Sequence, residues 1–172
     1  MTCSFVSIAR ATSVPICAER GDCERASFVV QCATLMNTSS QLQPGLTGQS
    51  EIVVGTRDTA PHVGSGKIKV LATPVMVGLM EEAALNAVEG LLPQGHQTVG
   101  TRLDITHVAA TPVGLHVIAR AELTHVDGRR LTFRVWADDE RDRIGEGTHE
   151  RIIVNVARFD QRAQEKAPRR AP

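Results

Sequence analysis

Tyrosine is absent from this chain of 172 residues, and aromatic residues together make up only 3% of it. Surfaces that stack nucleobases need exposed aromatic rings, so single-stranded nucleic-acid binding is excluded as a main role. Net charge is lacking as well, since 19 Lys and Arg offset 19 Asp and Glu. A protein that holds phosphate backbones or anionic lipid carries a positive excess; neither nucleic acid nor membrane is an expected partner. No apolar run approaches the ~20 residues that a membrane-spanning helix requires. Cysteine is missing after residue 32. The four that occur, Cys3, Cys17, Cys23 and Cys32, include no C-x2-C pair of the kind that zinc sites use, so no metal is expected. The apolar stretch at 5–9 is too short for a secretory signal. The expected compartment is therefore the reducing cytoplasm.

What is present supports one ordinary domain flanked by two polar segments. Residues 1–43 show no sustained period and end in the Ser/Thr/Gln-rich MNTSSQLQ; they read as a poorly ordered extension, with Met36 a candidate true start. Residues 44–160 form the expected domain. Residues 161–172 are polar, contain proline, and read as a disordered tail.

The domain is organised around residues 71–89, LATPVMVGLMEEAALNAVE. Met76, Leu79, Met80, Ala83, Ala84, Ala87 and Val88 recur at helical spacing, and Val77 and Leu85 widen the apolar surface. Thr73 reads as a capping hydroxyl and Pro74 as a first-turn proline. Glu82, Asn86 and Glu89 share the narrow polar stripe. Glu81 lies off that stripe among Val77, Gly78, Ala84 and Leu85, where an ionised carboxylate is costly unless a partner satisfies it. It reads either as a helix-edge acid whose head reaches water or as a catalytic carboxylate.

Before this helix, QSEIVVGT at 49–56 is strand-like; after it, the period changes from 3.6 to 2. Val99, Thr101, Leu103, Ile105 and His107 alternate on one face of the next segment. Leu115, Val117, Ala119, Ala121 and Leu123 form a second inward set, and Leu131, Phe133, Val135 and Ala137 a third. Asp127-Gly128 between them is a hairpin signal. A last strand is expected over 148–159. The pattern is a strand, a long helix and four antiparallel strands, an α+β arrangement in which helix and sheet bury each other's apolar faces.

Several separated motifs then carry a specific likeness. LATP running into VMVGLMEEA, TVGTRLDITHVAATPVGL, VDGRRLTF and IGEGTHERIIV together resemble the fluoroacetyl-CoA thioesterase family. That resemblance implies the hotdog fold, a curled antiparallel sheet wrapped around one long central helix. It implies hydrolysis of a small acyl-CoA to free acid and coenzyme A, with no cofactor beyond the coenzyme A of the substrate. It carries catalytic roles to Thr73, Glu81 and His107, a place against the acyl group to Gly100, and a place near the thioester to Arg151. It also implies a homodimer joined sheet edge to sheet edge. The parity of His107 with Leu103 and Ile105 agrees, turning the imidazole toward the helix. His116, Arg120, Arg129, Arg130 and Arg134 form an outward basic set that either meets coenzyme A phosphates or is simply solvated.

One feature of the family is missing. There is no phenylalanine between Phe28 and Phe133, so the aromatic lid ahead of the helix is replaced by PHVGSGK at 61–67. Fluoroacetyl selectivity is not expected to carry over. Two other readings compete: a non-catalytic acyl-CoA-binding module, and a hotdog hydratase. The hydratase is disfavoured because no Asp is followed by His five places on.

Overall fold

A computed structural model describes residues 41–167 of the chain; the N-terminal extension expected over 1–43 lies almost wholly outside the described residues. Strand β1 (Thr47–Val53) is followed by a short helix α1 (Ala60–Val63) and the long helix α2 (Thr73–Asn86). Four strands come next: β2 (His96–His107), β3 (His116–Asp127), β4 (Arg130–Asp139) and β5 (Arg143–Asn155). Helix α3 (Val156–Glu165) closes the described chain.

The five strands make one antiparallel sheet in the order β1-β3-β4-β5-β2. Only β3–β4 and β4–β5 are hairpin neighbours. Strand β2 crosses to the far side of β5, which leaves it as a long outer edge. The expected succession of four strands is present, and their spatial order differs because residues 108–115 carry the chain across to β3 instead of turning it back.

Period-2 patterning decides which side chains are buried. Val117, Ala119, Ala121 and Leu123 of β3, and Leu131, Phe133, Val135 and Ala137 of β4, are all fully buried. They meet Met76, Leu79, Met80, Ala83 and Ala84 of α2. Each large side chain buried this way contributes roughly 1.5–3 kcal/mol. Leu42, 6% exposed, also belongs to this core, so packing begins slightly ahead of the boundary expected at residue 44.

Three expectations are corrected. Thr73 is not the helix cap: Ala72 holds that position with no side-chain cap bond, and its carbonyl accepts from the amides of Val75 and Met76. The Thr73 hydroxyl is thereby left for another partner. The inward face of β2 is not a single alternating set. A register shift between Gly100 and Arg102 inserts a bulge, which reverses the parity. Thr98, 6% exposed, faces inward before it in place of Val99 and Thr101, whereas Ile105 packs on the core after it. Finally, β5 ends at Asn155, whose side chain caps α3 by accepting from the Arg158 amide; residues 156–165, expected as a strand end and a disordered tail, are helical.

Gly48 sets how closely β1 approaches α2. A Cβ there would lie 2.3 Å from the Ala83 carbonyl oxygen and 2.5 Å from the Ala87 nitrogen. These are backbone atoms and cannot swing aside. Gly48→Ala is expected to destabilise the protein by about 1–3 kcal/mol, measured as a lower urea midpoint; an unchanged midpoint would contradict this packing.

Candidate active site

The candidate side chains fall into two clusters along α2. The first lies at its N-terminus. The Thr73 hydroxyl and His107 Nδ1 are 2.9 Å apart, because β2 runs inward again after its bulge and delivers its last residue to the helix start. His107 Nε2 is buried and has no hydrogen-bond partner among the described residues. A buried ring nitrogen left unpaired is costly. Beside the pair opens a cavity of about 390 Å³ lined by Lys67, Ile68, Val70, Thr73, His107 and Val108, among others. None of its lining side chains is an aromatic carbocycle; the segment 61–67 contributes Ser65, Gly66 and Lys67 to the wall.

The second cluster surrounds Glu81, two turns further along. Glu81 Oε1 lies only 2.7 Å from where a Gly100 Cβ would be, so the glycine is what admits the carboxylate. The carboxylate is less enclosed than the sequence suggests, its side chain being 40% exposed. Beneath it are His149, fully buried, and Arg151, 6% exposed. Arg151 donates from Nε to the Thr98 hydroxyl at 2.9 Å and from one terminal nitrogen to the Thr98 carbonyl at 3.0 Å. Its other terminal nitrogen lies 3.0 Å from His149 Nε2 and donates to the Glu81 backbone carbonyl at 3.4 Å.

These contacts fix the state of His149. Since the guanidinium can only donate, Nε2 must accept, and Nδ1 carries the proton that it donates to the Arg102 carbonyl at 2.9 Å. Burial lowers the pKa of His149 below its ordinary 6.5; the Arg102 carbonyl works against that shift, Arg151 adds to it, and Glu81 opposes it. The 3.9 Å approach of Nε2 to Glu81 Oε1 is therefore not an ion pair at neutral pH. Burial lowers the pKa of Arg151 too, but a guanidinium stays charged at neutral pH.

The sequence-derived set is thus divided. Thr73 and His107 are hydrogen-bonded to each other; Glu81, Gly100 and Arg151 meet at the second cluster. Within the described chain no hydrogen bond or ion pair joins the two. Eight helical positions separate Thr73 from Glu81, about 12 Å along the axis, more than their side chains span. His149 and Thr98 were missed. The signal for His149 was its spacing of two from Arg151 on the same strand, which puts both on one face. The outward basic set is largely engaged elsewhere: His116 pairs with Glu51, Arg120 with Asp138, Arg130 with Glu150 and Arg134 with Glu146. Among the described residues no group of three His, Cys, Asp or Glu side chains is placed to hold a metal ion, and no helix is long and apolar enough to cross a membrane.

A curled five-stranded sheet closed on one long helix is the hotdog architecture. A hot-dog-like protein from Thermanaerovibrio acidaminovorans shares it at a TM-score of 0.70 and 22% identity, over 78% of this chain and all of that one. The profile of the family described as fluoroacetyl-CoA-specific thioesterase matches residues 54–157. A fluoroacetyl-CoA thioesterase from Streptantibioticus cattleyicolor is 47% identical over 100 residues, covering 58% of this chain and 72% of its own. A solved fluoroacetyl-CoA thioesterase superposes with a TM-score of 0.70 at 39% identity, over 74% of this chain and 98% of that one. A Thermus thermophilus thioesterase superfamily member follows at 0.67 and 29%, over 72% and 94%. The chain belongs to the fluoroacetyl-CoA-specific thioesterase family.

The lowered pKa of His149 has a consequence for stability. Below pH 6.5 the unfolded chain takes up a proton that the folded imidazole refuses, so acidification favours unfolding. Wild-type stability is expected to fall as pH drops from 7 to 5, with a contribution from this group of at most about 1.4 kcal/mol per pH unit. His149→Gln should remove that contribution in urea titrations; an identical pH slope in wild type and variant would contradict it.

Proposed function

We propose that this protein is an acyl-CoA thioesterase, hydrolysing a small acyl-CoA to the free acid and coenzyme A, and that its working form is a homodimer. The observation that carries the reading is the buried, unpaired Nε2 of His107, at the end of the strand that forms the sheet's outer edge. A long unpaired edge is a template for pairing with another strand. Two copies of β2, related by a two-fold axis near Leu103, would set Gly100 and Glu81 of one protomer beside His107 and Thr73 of its partner. This pairing would also cover Leu103, 40% exposed, and the exposed Gly78 on α2.

In that arrangement His107 Nε2 gains a carboxylate acceptor, and its Nδ1 accepts from the Thr73 hydroxyl. Glu81 takes the proton of the attacking water and that proton passes to the departing thiolate of coenzyme A; or Glu81 itself attacks the carbonyl and expels the thiolate, and water then hydrolyses the acyl-glutamyl anhydride, its protons going to the thiolate and the acid. His107 holds the carboxylate, and Thr73 holds His107. Backbone N–H groups at the start of α2 or near Gly100 face the developing oxyanion; one such donor is typically worth about 100-fold or more in rate. No cofactor enters beyond the coenzyme A of the substrate, and the location that suits such a substrate is the cytoplasm. The aliphatic cavity wall, with Ser65, Gly66 and Lys67 in place of an aromatic lid, supports a preference other than fluoroacetyl-CoA.

Thiol release from acetyl-CoA, propionyl-CoA and longer acyl-CoAs tests the reading. Hydrolysis of at least one is expected, with Glu81→Gln and His107→Ala each lowering kcat by about 100-fold or more. Tight binding without thiol release would favour the acyl-CoA-binding module instead, and full turnover in Glu81→Gln would remove Glu81 from the scheme.

A further inference from the structure

His149 is fully buried, touches Glu81 and Arg151, and has no part in the residue set brought by the family resemblance. Its surroundings are completely defined. From its own strand comes Arg151, from α2 the Glu81 carboxylate, from β2 the Arg102 carbonyl and Gly100, and from β4 the Phe133 ring, with centroids 6.4 Å apart. Both ring nitrogens are in use. Arg151 and Glu81 are opposite charges on either side of His149, yet among the described residues the guanidinium makes no ion pair with the Glu81 carboxylate. It bonds to the Glu81 backbone carbonyl instead. Left to itself, a buried guanidinium beside a carboxylate closes on it in a two-pronged pair, which would occupy the lone pairs that Glu81 needs for chemistry.

We propose that His149 is a positioning residue that holds Arg151 back from Glu81. By accepting at Nε2 it keeps the near guanidinium nitrogen engaged, while Thr98 holds the other side. By donating from Nδ1 to the Arg102 carbonyl it also pins the bulge that turns Gly100 toward the carboxylate. The cation then lies under the carboxylate without capping it. This inference rests on Glu81 being the reacting carboxylate.

Two substitutions separate the ring's two bonds. His149→Asn keeps a donor near the position of Nδ1 and loses the acceptor, whereas His149→Gln restores an acceptor near the position of Nε2. With acetyl-CoA as the probe, His149→Asn is expected to lower kcat by about ten-fold or more with KM changed less than about three-fold, and His149→Gln to recover kcat to within about three-fold of wild type. Adding His149→Asn to Arg151→Met should cost nothing further, since the residue acts through the arginine. Equal losses in both His149 variants, additive losses with Arg151→Met, or wild-type kcat in His149→Asn would overturn the proposal. If His149→Asn fails to fold, imidazole ¹⁵N spectra of the wild-type protein at about pH 7.5 decide, above the ordinary imidazole pKa: a neutral ring protonated at Nδ1 is expected, and an Nε2-protonated or charged ring overturns it. A fully active Glu81→Gln would instead remove the functional reading on which this one stands, a distinguishable result.

Discussion

The outer edge of β2 is the constraint to which the other parts of the site answer. Its backbone ladder is paired to β5 on one side and to nothing in the described chain on the other. One bulge divides it into a half that faces Glu81 through Gly100 and a half that ends at Thr73 through His107. Seven positions along the strand separate Gly100 from His107, about 23 Å when extended, so one copy of β2 serves both clusters without uniting them. Two-fold pairing of such an edge is isologous, and in the proposed dimer it repeats the union twice, giving two equivalent sites.

Charge placement follows from the same geometry. The helix supplies a carboxylate at a half-open position, and β5 supplies a buried cation and a neutral imidazole directly under it. A buried cation needs acceptors on every side; Thr98, His149 and the Glu81 backbone provide them. The Glu81 carboxylate is thus near positive charge while making no hydrogen bond among the described residues. A carboxylate consumed by a salt bridge is a poor nucleophile and a poor base; this one keeps its lone pairs open.

Much of the fold was legible in the sequence because both periods are clean. The inward sets of β3 and β4 were read from alternation alone, and eight of the nine side chains expected to face inward are buried; the ninth, Leu115, lies just ahead of β3 and is half-buried. The helix was read from its 3.6-residue spacing. The bulge in β2 was not legible, since one inserted residue leaves no trace in composition, and it moved Thr98 inward in place of Val99 and Thr101. The helix end was misread for a related reason: a Thr-Pro pair signals a start, but not whether Thr is the cap or the first helical residue. As the first residue, Thr73 spends its hydroxyl on His107. The exposure of Glu81, 40% of its side chain, could not be read from its helical neighbours, which report only on one element; it matches a helix-edge acid whose head reaches water.

The shared site can be tested by mixing subunits. Glu81→Gln and His107→Ala homodimers, each inactive, would be unfolded together and refolded so that the chains exchange. If Glu81 of one protomer works with His107 of its partner, each mixed dimer holds one doubly altered site and one intact site. Thiol release should then return, to about one quarter of the wild-type rate when half of the dimers are mixed. If both residues serve a site within one chain, every site in the mixture carries a lesion and no activity returns; that result would contradict the account.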